Sequence, residues 1–105
     1  MPGTETLPKP KTREDTDAKS KRAPMWKVIL HNDNKTTMDF VVWILMAFFG
    51  HDMDKSKKIM LEVHETGQGV AGVYAQEVAE LKKDQVVSSA RAQKYPLTVT
   101  IEPDE

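Results

Sequence analysis

VILHNDNKTTMDFVV, Val28 to Val42, passes from a strand through a turn into a helix in one run. Trp26-Lys27-Val28-Ile29-Leu30 is rich in aromatic and β-branched residues, which suit a pleated, half-buried surface. His31-Asn32-Asp33-Asn34-Lys35 breaks the strand, because Asn and Asp bond to nearby backbone and favour turns. Thr36 or Thr37 is a natural N-cap; Asp39, three after Thr36, approaches a capping box and sets negative charge at the positive end of a helix. The spacing predicts a helix from about Met38 to Phe49, with Phe40, Val41, Ile44, Leu45 and Phe48 on one face. Val42, Trp43, Met46 and Phe49 make the other faces apolar too. Such a helix is either buried or presents a binding surface. Gly50 is its stop signal.

Downstream, Asp52 or Asp54 caps a second helix that runs through Ile59, Met60 and Val63 to about Thr66, where Gly67 ends it. Gly67-Gln68-Gly69 forms a turn, and Val70 to Tyr74 reads as a second strand. Ala75 to Arg91 reads as a third helix with a narrow apolar stripe of Val78, Leu81, Val86 and Ala90. After Pro96, Leu97 to Ile101 alternates apolar and polar as a half-buried last strand. The order is β-α-α-β-α-β. We expect an α+β domain, a three-stranded antiparallel sheet packed with three helices.

Residues 1–25 differ from the rest. They hold four of the six prolines and none of the seven aromatic residues. So little apolar surface cannot offset a backbone ordering cost of roughly 1–2 kcal/mol per residue. We expect a flexible N-terminal extension over 1–25 and a folded core over 26–105. A core of that size supports a stability on the order of 5–10 kcal/mol.

Charge excludes some functions. The net charge is −1 and neither half is strongly basic, so no nucleic-acid partner is expected. The chain has no cysteine, hence no disulfide and no thiolate metal site, which suits a cytoplasmic protein. The apolar run from Phe40 to Phe49 is too short to span a bilayer, and no secretory signal is recognisable. No GxSxG element, cysteine nucleophile or phosphate-cradling loop is present, so no catalytic residue and no cofactor is assigned and the chain is not expected to be an enzyme.

Two polar features remain. His31-Asn32-Asp33 sits where a strand meets an apolar helix, and His64 lies on the second helix one turn from Met60. Each also has an ordinary reading, as turn chemistry and as a solvated histidine. A metal site from His31, Asp33 and His64 is conceivable by ligand type, but no HExxH motif or close histidine pair supports it. Met38 stands close in sequence to Asn32 and Asp33. An apolar pocket rimmed by a carboxylate and an amide suits a cation beside an apolar group, such as a free protein N-terminus with a large side chain.

With these residues in view, the chain resembles the ClpS family. VILHNDNKTTMDFVV (28–42) is similar to its strand, Asn-Asp turn and helix start. IMLEVHETGQGVAGVYAQEVAELK (59–82) is similar to its Val-His helix and Gly-Val-Tyr strand, and YPLTVTIE (95–102) to its last strand. The resemblance implies an adaptor that binds N-degrons, substrates whose first residue is Leu, Phe, Tyr or Trp, and delivers them to a ClpA-type or ClpC-type AAA+ unfoldase. By position it implies that Asn32, Asp33 and His64 hold the α-ammonium. Thr36, Met38, Val41, Met60, Val63 and Leu97 would form or border the side-chain pocket, and Glu77 and Lys82 would lie on the face that docks the unfoldase's N-terminal domain. Asn34, Lys35, Thr37 and Ala71 depart from the commoner family residues, beside the pocket motif or away from it. We expect a monomer. A competing reading is an interaction domain that binds a structured partner through the first helix, with Trp43, Met46 and Phe49 as contacts and no preference for an N-terminal residue.

Overall fold

The computed structural model describes residues 24–104. The expected extension therefore lies almost wholly outside the described residues. Its last residue, Met25, begins the first strand. The elements are β1 (Met25–His31), α1 (Met38–Ala47), α2 (Met53–Thr66), β2 (Gln68–Ala75), α3 (Gln76–Ala92) and β3 (Thr98–Pro103). The sheet order is β2-β1-β3, and β1 pairs antiparallel with both neighbours. This is the α+β arrangement that the sequence pattern predicts.

Burial follows from strand alternation. Val28 and Leu30 of β1 point into the helices and share a core with Ile44, Leu45, Ile59, Val63, Val86 and Ala90. Each such aliphatic side chain removed from water contributes about 1.5–3 kcal/mol. Ile29 faces the other side of the sheet. The β1–β2 register slips between Val28 and Ile29, leaving Ala71 as an extra residue on β2. His51, in the loop between α1 and α2, reaches the Ala71 carbonyl with Nε2 at 2.6 Å. The bulge thus keeps a hydrogen-bond partner, which ties the α1–α2 loop to the sheet.

Helix ends match the capping signals in kind but not always in position. Thr37 is the N-cap of α1, its hydroxyl accepting from Phe40 N at 3.1 Å. The capping box counted from Thr36 does not form, because Thr36 is engaged with Asp33. Asp52 caps α2 by accepting from Lys55 N at 2.8 Å. Gly67 ends α2 at φ 97°, a left-handed conformation that glycine adopts without the Cβ penalty. β2 runs straight into α3 with no side-chain cap.

α1 ends at Ala47, two residues short of the expected end. Phe49 therefore does not share the helix's outer surface. It turns into the core at 8% exposure, and the three-residue contact patch of the competing reading loses that member. Trp43 and Met46 remain on the outside.

Candidate functional site

Asn32, Asp33 and His64, singled out from sequence, meet at one end of the α1–α2 pair. Asn32, Asp33, Asn34 and Thr36 come from the β1–α1 turn, Met38 and Val41 from the start of α1, and Met60 and His64 from α2. Together they line a cavity of about 280 Å³. Small-molecule sites run from about 300 to 1,000 Å³, so this one fits a single residue better than a cofactor.

The turn is built from its own backbone. Asn32 N donates to the Gly67 carbonyl at 2.9 Å, which fastens the turn to the C-terminus of α2 and brings it beside His64. The Asp33 carboxylate closes the loop behind it. Its Oδ1 accepts from Lys35 N and Thr36 N, each at 2.7 Å, and its Oδ2 accepts from the Thr36 hydroxyl at 2.6 Å. Burial acts to raise the Asp33 pKa. The Thr36 side-chain bond, the Thr36 and Lys35 backbone bonds and the charge of Arg91 outweigh it, so the carboxyl lies below its ordinary value and stays ionised. Of about four acceptor positions on a carboxylate, three are occupied internally. One remains on Oδ2 for a ligand or water.

Apolar and polar lining divide by element. Val41 is buried, Met60 is half-buried, and Met38 stands 43% exposed at the mouth. Val63 and Leu97 are not on the cavity wall. Both lie in the core, at 3% and 1% exposure, and support the wall from behind. Asn34 is on the wall, although its sequence position reads only as a neighbour of the motif. Arg91 carries no sequence signal for this site. Its guanidinium donates to the carbonyls of Tyr95 at 2.8 Å and Leu97 at 3.0 Å, which holds the α3–β3 connection while its charge acts on Asp33.

His31 belongs elsewhere. Its Nε2 lies 2.7 Å from the Thr100 hydroxyl on β3, across the sheet from its own strand. Among the described residues no group of three or more His, Asp and Glu is clustered for a metal ion.

The two residues assigned to a docking face lie on α3. Glu77 is exposed in its first turn. Lys82 is half-buried; its ammonium donates to the Phe48 carbonyl at 2.7 Å and sits 5.6 Å from the Tyr74 ring centroid. It closes the C-terminus of α1, where the carbonyls lack helical partners.

Comparison with known proteins places the chain in a family. A family profile described as "ATP-dependent Clp protease adaptor protein ClpS" matches residues 21–100. The ATP-dependent Clp protease adapter protein ClpS of Desulforapulum autotrophicum is 45% identical over 94 residues, 90% of each chain. That of Campylobacter jejuni is 43% identical over 96 residues, covering 91% of this chain and 98% of that one. The solved structure of Agrobacterium tumefaciens ClpS2 bound to L-phenylalaninamide superposes with a TM-score of 0.76 at 31% identity, covering 79% of this chain and all of that one. With the matched segment, residues 21–100, taking in β1, β2, all three helices and the start of β3, the chain belongs to the ClpS family of ATP-dependent Clp protease adaptors.

Proposed function

We propose that this adaptor recognises proteins by a free N-terminal residue with a large apolar side chain, namely Leu, Phe, Tyr or Trp, and hands them to a Clp unfoldase without catalysing any reaction. The observation that carries this reading is the convergence of Asn32, Asp33 and His64 on a cavity of one-residue size whose apolar walls are Met38, Val41 and Met60. The relative bound to L-phenylalaninamide supports it, since that ligand has a free amine and an apolar side chain.

The chemistry divides cleanly. An α-ammonium offers three N–H donors and a positive charge. The Asn32 side-chain oxygen and a neutral His64 nitrogen accept two of them. Asp33, with one acceptor position left, supplies charge and the third contact, directly or through water. Each charge-assisted bond contributes about 1.5–3 kcal/mol net, and burying a Leu or Phe side chain about as much again. These sums reach micromolar binding only if the pocket is preorganised. The Asp33 turn and its Gly67 tether supply that order. An acetylated terminus has no charge to offer, and a β-branched Ile or Val meets Met38 at the mouth.

Delivery is assigned to the face around Glu77 and Lys82, docked on the N-terminal domain of a ClpA-type or ClpC-type partner, with the adaptor acting as a cytoplasmic monomer. Residues 1–25 are the segment that the unfoldase engages during hand-off. The test of recognition uses two substrate proteins differing only in the first residue, Phe or Met, with purified unfoldase and protease. Adaptor-dependent degradation of the Phe form alone, abolished by Asp33→Ala, supports the reading. Equal degradation of both refutes it.

A further inference from the structure

A second cavity, of about 500 Å³, opens along the outer side of the α1–α2 pair. Its apolar wall is made of Val42, Trp43 and Met46 from α1 and Met53, Met60 and Leu61 from α2. Trp43, Met46, Met53 and Leu61 are 37–50% exposed, an unusual concentration of large apolar surface on so small a domain. Nothing in the ammonium pocket uses these four side chains. Yet the two cavities are neighbours, because Met60 forms part of the wall of both.

We infer that this groove binds the apolar side chains that follow the first residue of the same substrate, so that the adaptor reads a short N-terminal segment and not a single residue. The inference rests on the proposed seating of the substrate's first residue in the ammonium pocket.

Four observations select this occupant. The first is continuity through Met60, whose side chain lines both the pocket and the groove. The second is reach. From Met38 at the pocket mouth to Met46 is eight helical rises, about 12 Å. An extended peptide at about 3.3 Å per residue covers that in three to four residues. The third is charge. The rim carries Asp39 and Lys57, of opposite sign, so the groove exerts no net attraction for a charged segment, and its apolar wall favours uncharged side chains. The fourth is plasticity: Met46, Met53 and Met60 are unbranched and polarisable, which suits a surface that must take different apolar side chains from different substrates.

The test measures fluorescence anisotropy of C-terminally labelled peptides on the full-length protein. One peptide is Phe-Ser-Leu-Val-Leu-Ser and the other Phe-Ser-Ser-Gly-Ser-Ser, both with a free amine. Acetylated versions and unlabelled phenylalaninamide as competitor complete the set. The expected result is a three- to tenfold tighter Kd for the apolar tail. The paired variant Trp43→Gln/Met46→Gln should erase that advantage and leave the affinity for phenylalaninamide unchanged. Leu61→Gln, on the facing helix, repeats the test should the paired variant fail to fold. Equal Kd for the two tails, or an advantage that survives both variants, overturns the groove while leaving the amine-dependent reading intact. Loss of the distinction between free and acetylated amines overturns the underlying reading instead. Sedimentation is run alongside. A wild-type dimer that the variants convert to monomer makes the groove a contact between copies and overturns the inference.

Discussion

Asp33 and His64 both line the cavity proposed to hold the ammonium, Asp33 as a charge and His64 as an acceptor. Asp33 is held ionised by three internal hydrogen bonds and the nearby Arg91 charge, which outweigh burial. A carboxyl with a lowered folded pKa stabilises the turn at every pH above the unfolded value near 4, and that contribution is lost only as pH falls through the lower, folded value. His64 contributes as a hydrogen-bond acceptor through a ring nitrogen. We expect His64→Gln, which keeps an acceptor, to bind a free-amine peptide more tightly than His64→Ala; equal affinity of the two variants and the wild type contradicts the acceptor role. Asp33→Asn separates charge from turn. Asn can still accept from Lys35 N and Thr36 N, so thermal stability should fall less than in Asp33→Ala. Binding of a free-amine peptide should nevertheless weaken roughly 10- to 150-fold, the loss of one charge-assisted bond. Asn32, Asp33 and His64 stood out in the sequence as polar residues beside apolar ones, but ordinary readings stayed open for each until the family resemblance gave them a role. Arg91 was not legible, since it acts from the far end of a helix through a connection that only the fold closes.

Among elements, the turn and α2 act as one unit. Gly67 takes φ 97° to end α2, and its carbonyl receives Asn32 N. Gly67→Ala forces a Cβ into the left-handed region at a cost of about 1–2 kcal/mol. We expect a lower urea midpoint and weaker peptide binding from this one change, although residue 67 lines neither cavity. Unchanged binding would show that the tether does not position Asn32. Lys82 presents the reverse case. Because its ammonium closes the α1 C-terminus at Phe48, Lys82→Met should lower stability as well as delivery. Glu77→Arg, on an exposed site, should reduce unfoldase-dependent degradation with peptide affinity and melting temperature unchanged. Loss of peptide affinity in Glu77→Arg would contradict a separate docking face. Element type and order could be read from periodicity, and capping signals gave the Gly67 stop and narrowed the α2 cap to Asp52 or Asp54, of which the fold uses Asp52. The end of α1 could not. Phe48 and Phe49 continue the apolar pattern, so periodicity carries the helix to Phe49, whereas the chain leaves it after Ala47 and packs Phe49 inside. Residues apolar on every side give no signal for which ones turn inward.

On the scale of the whole molecule, the sheet and helices form one frame, and the proposed ammonium pocket lies at one end of the α1–α2 pair. The core beneath the pocket is continuous with the pocket wall. Val63 and Leu97, which the family resemblance places on or beside the lining, are buried in that core. Truncating a fully buried residue remote from the site, such as Leu45→Ala, should cost about 2–5 kcal/mol of stability. Any folded fraction should bind N-terminal peptides with wild-type affinity, which a melt and a titration on one sample can check. The central claim is that a free, apolar first residue is what the adaptor grips. Fluorescence anisotropy of two labelled peptides, identical except that the first residue is Phe with a free amine or Phe acetylated, tests it most directly. Tight binding of the free form alone, lost in Asp33→Ala and His64→Ala, is the predicted result. Equal binding of both peptides, or of neither, would contradict it.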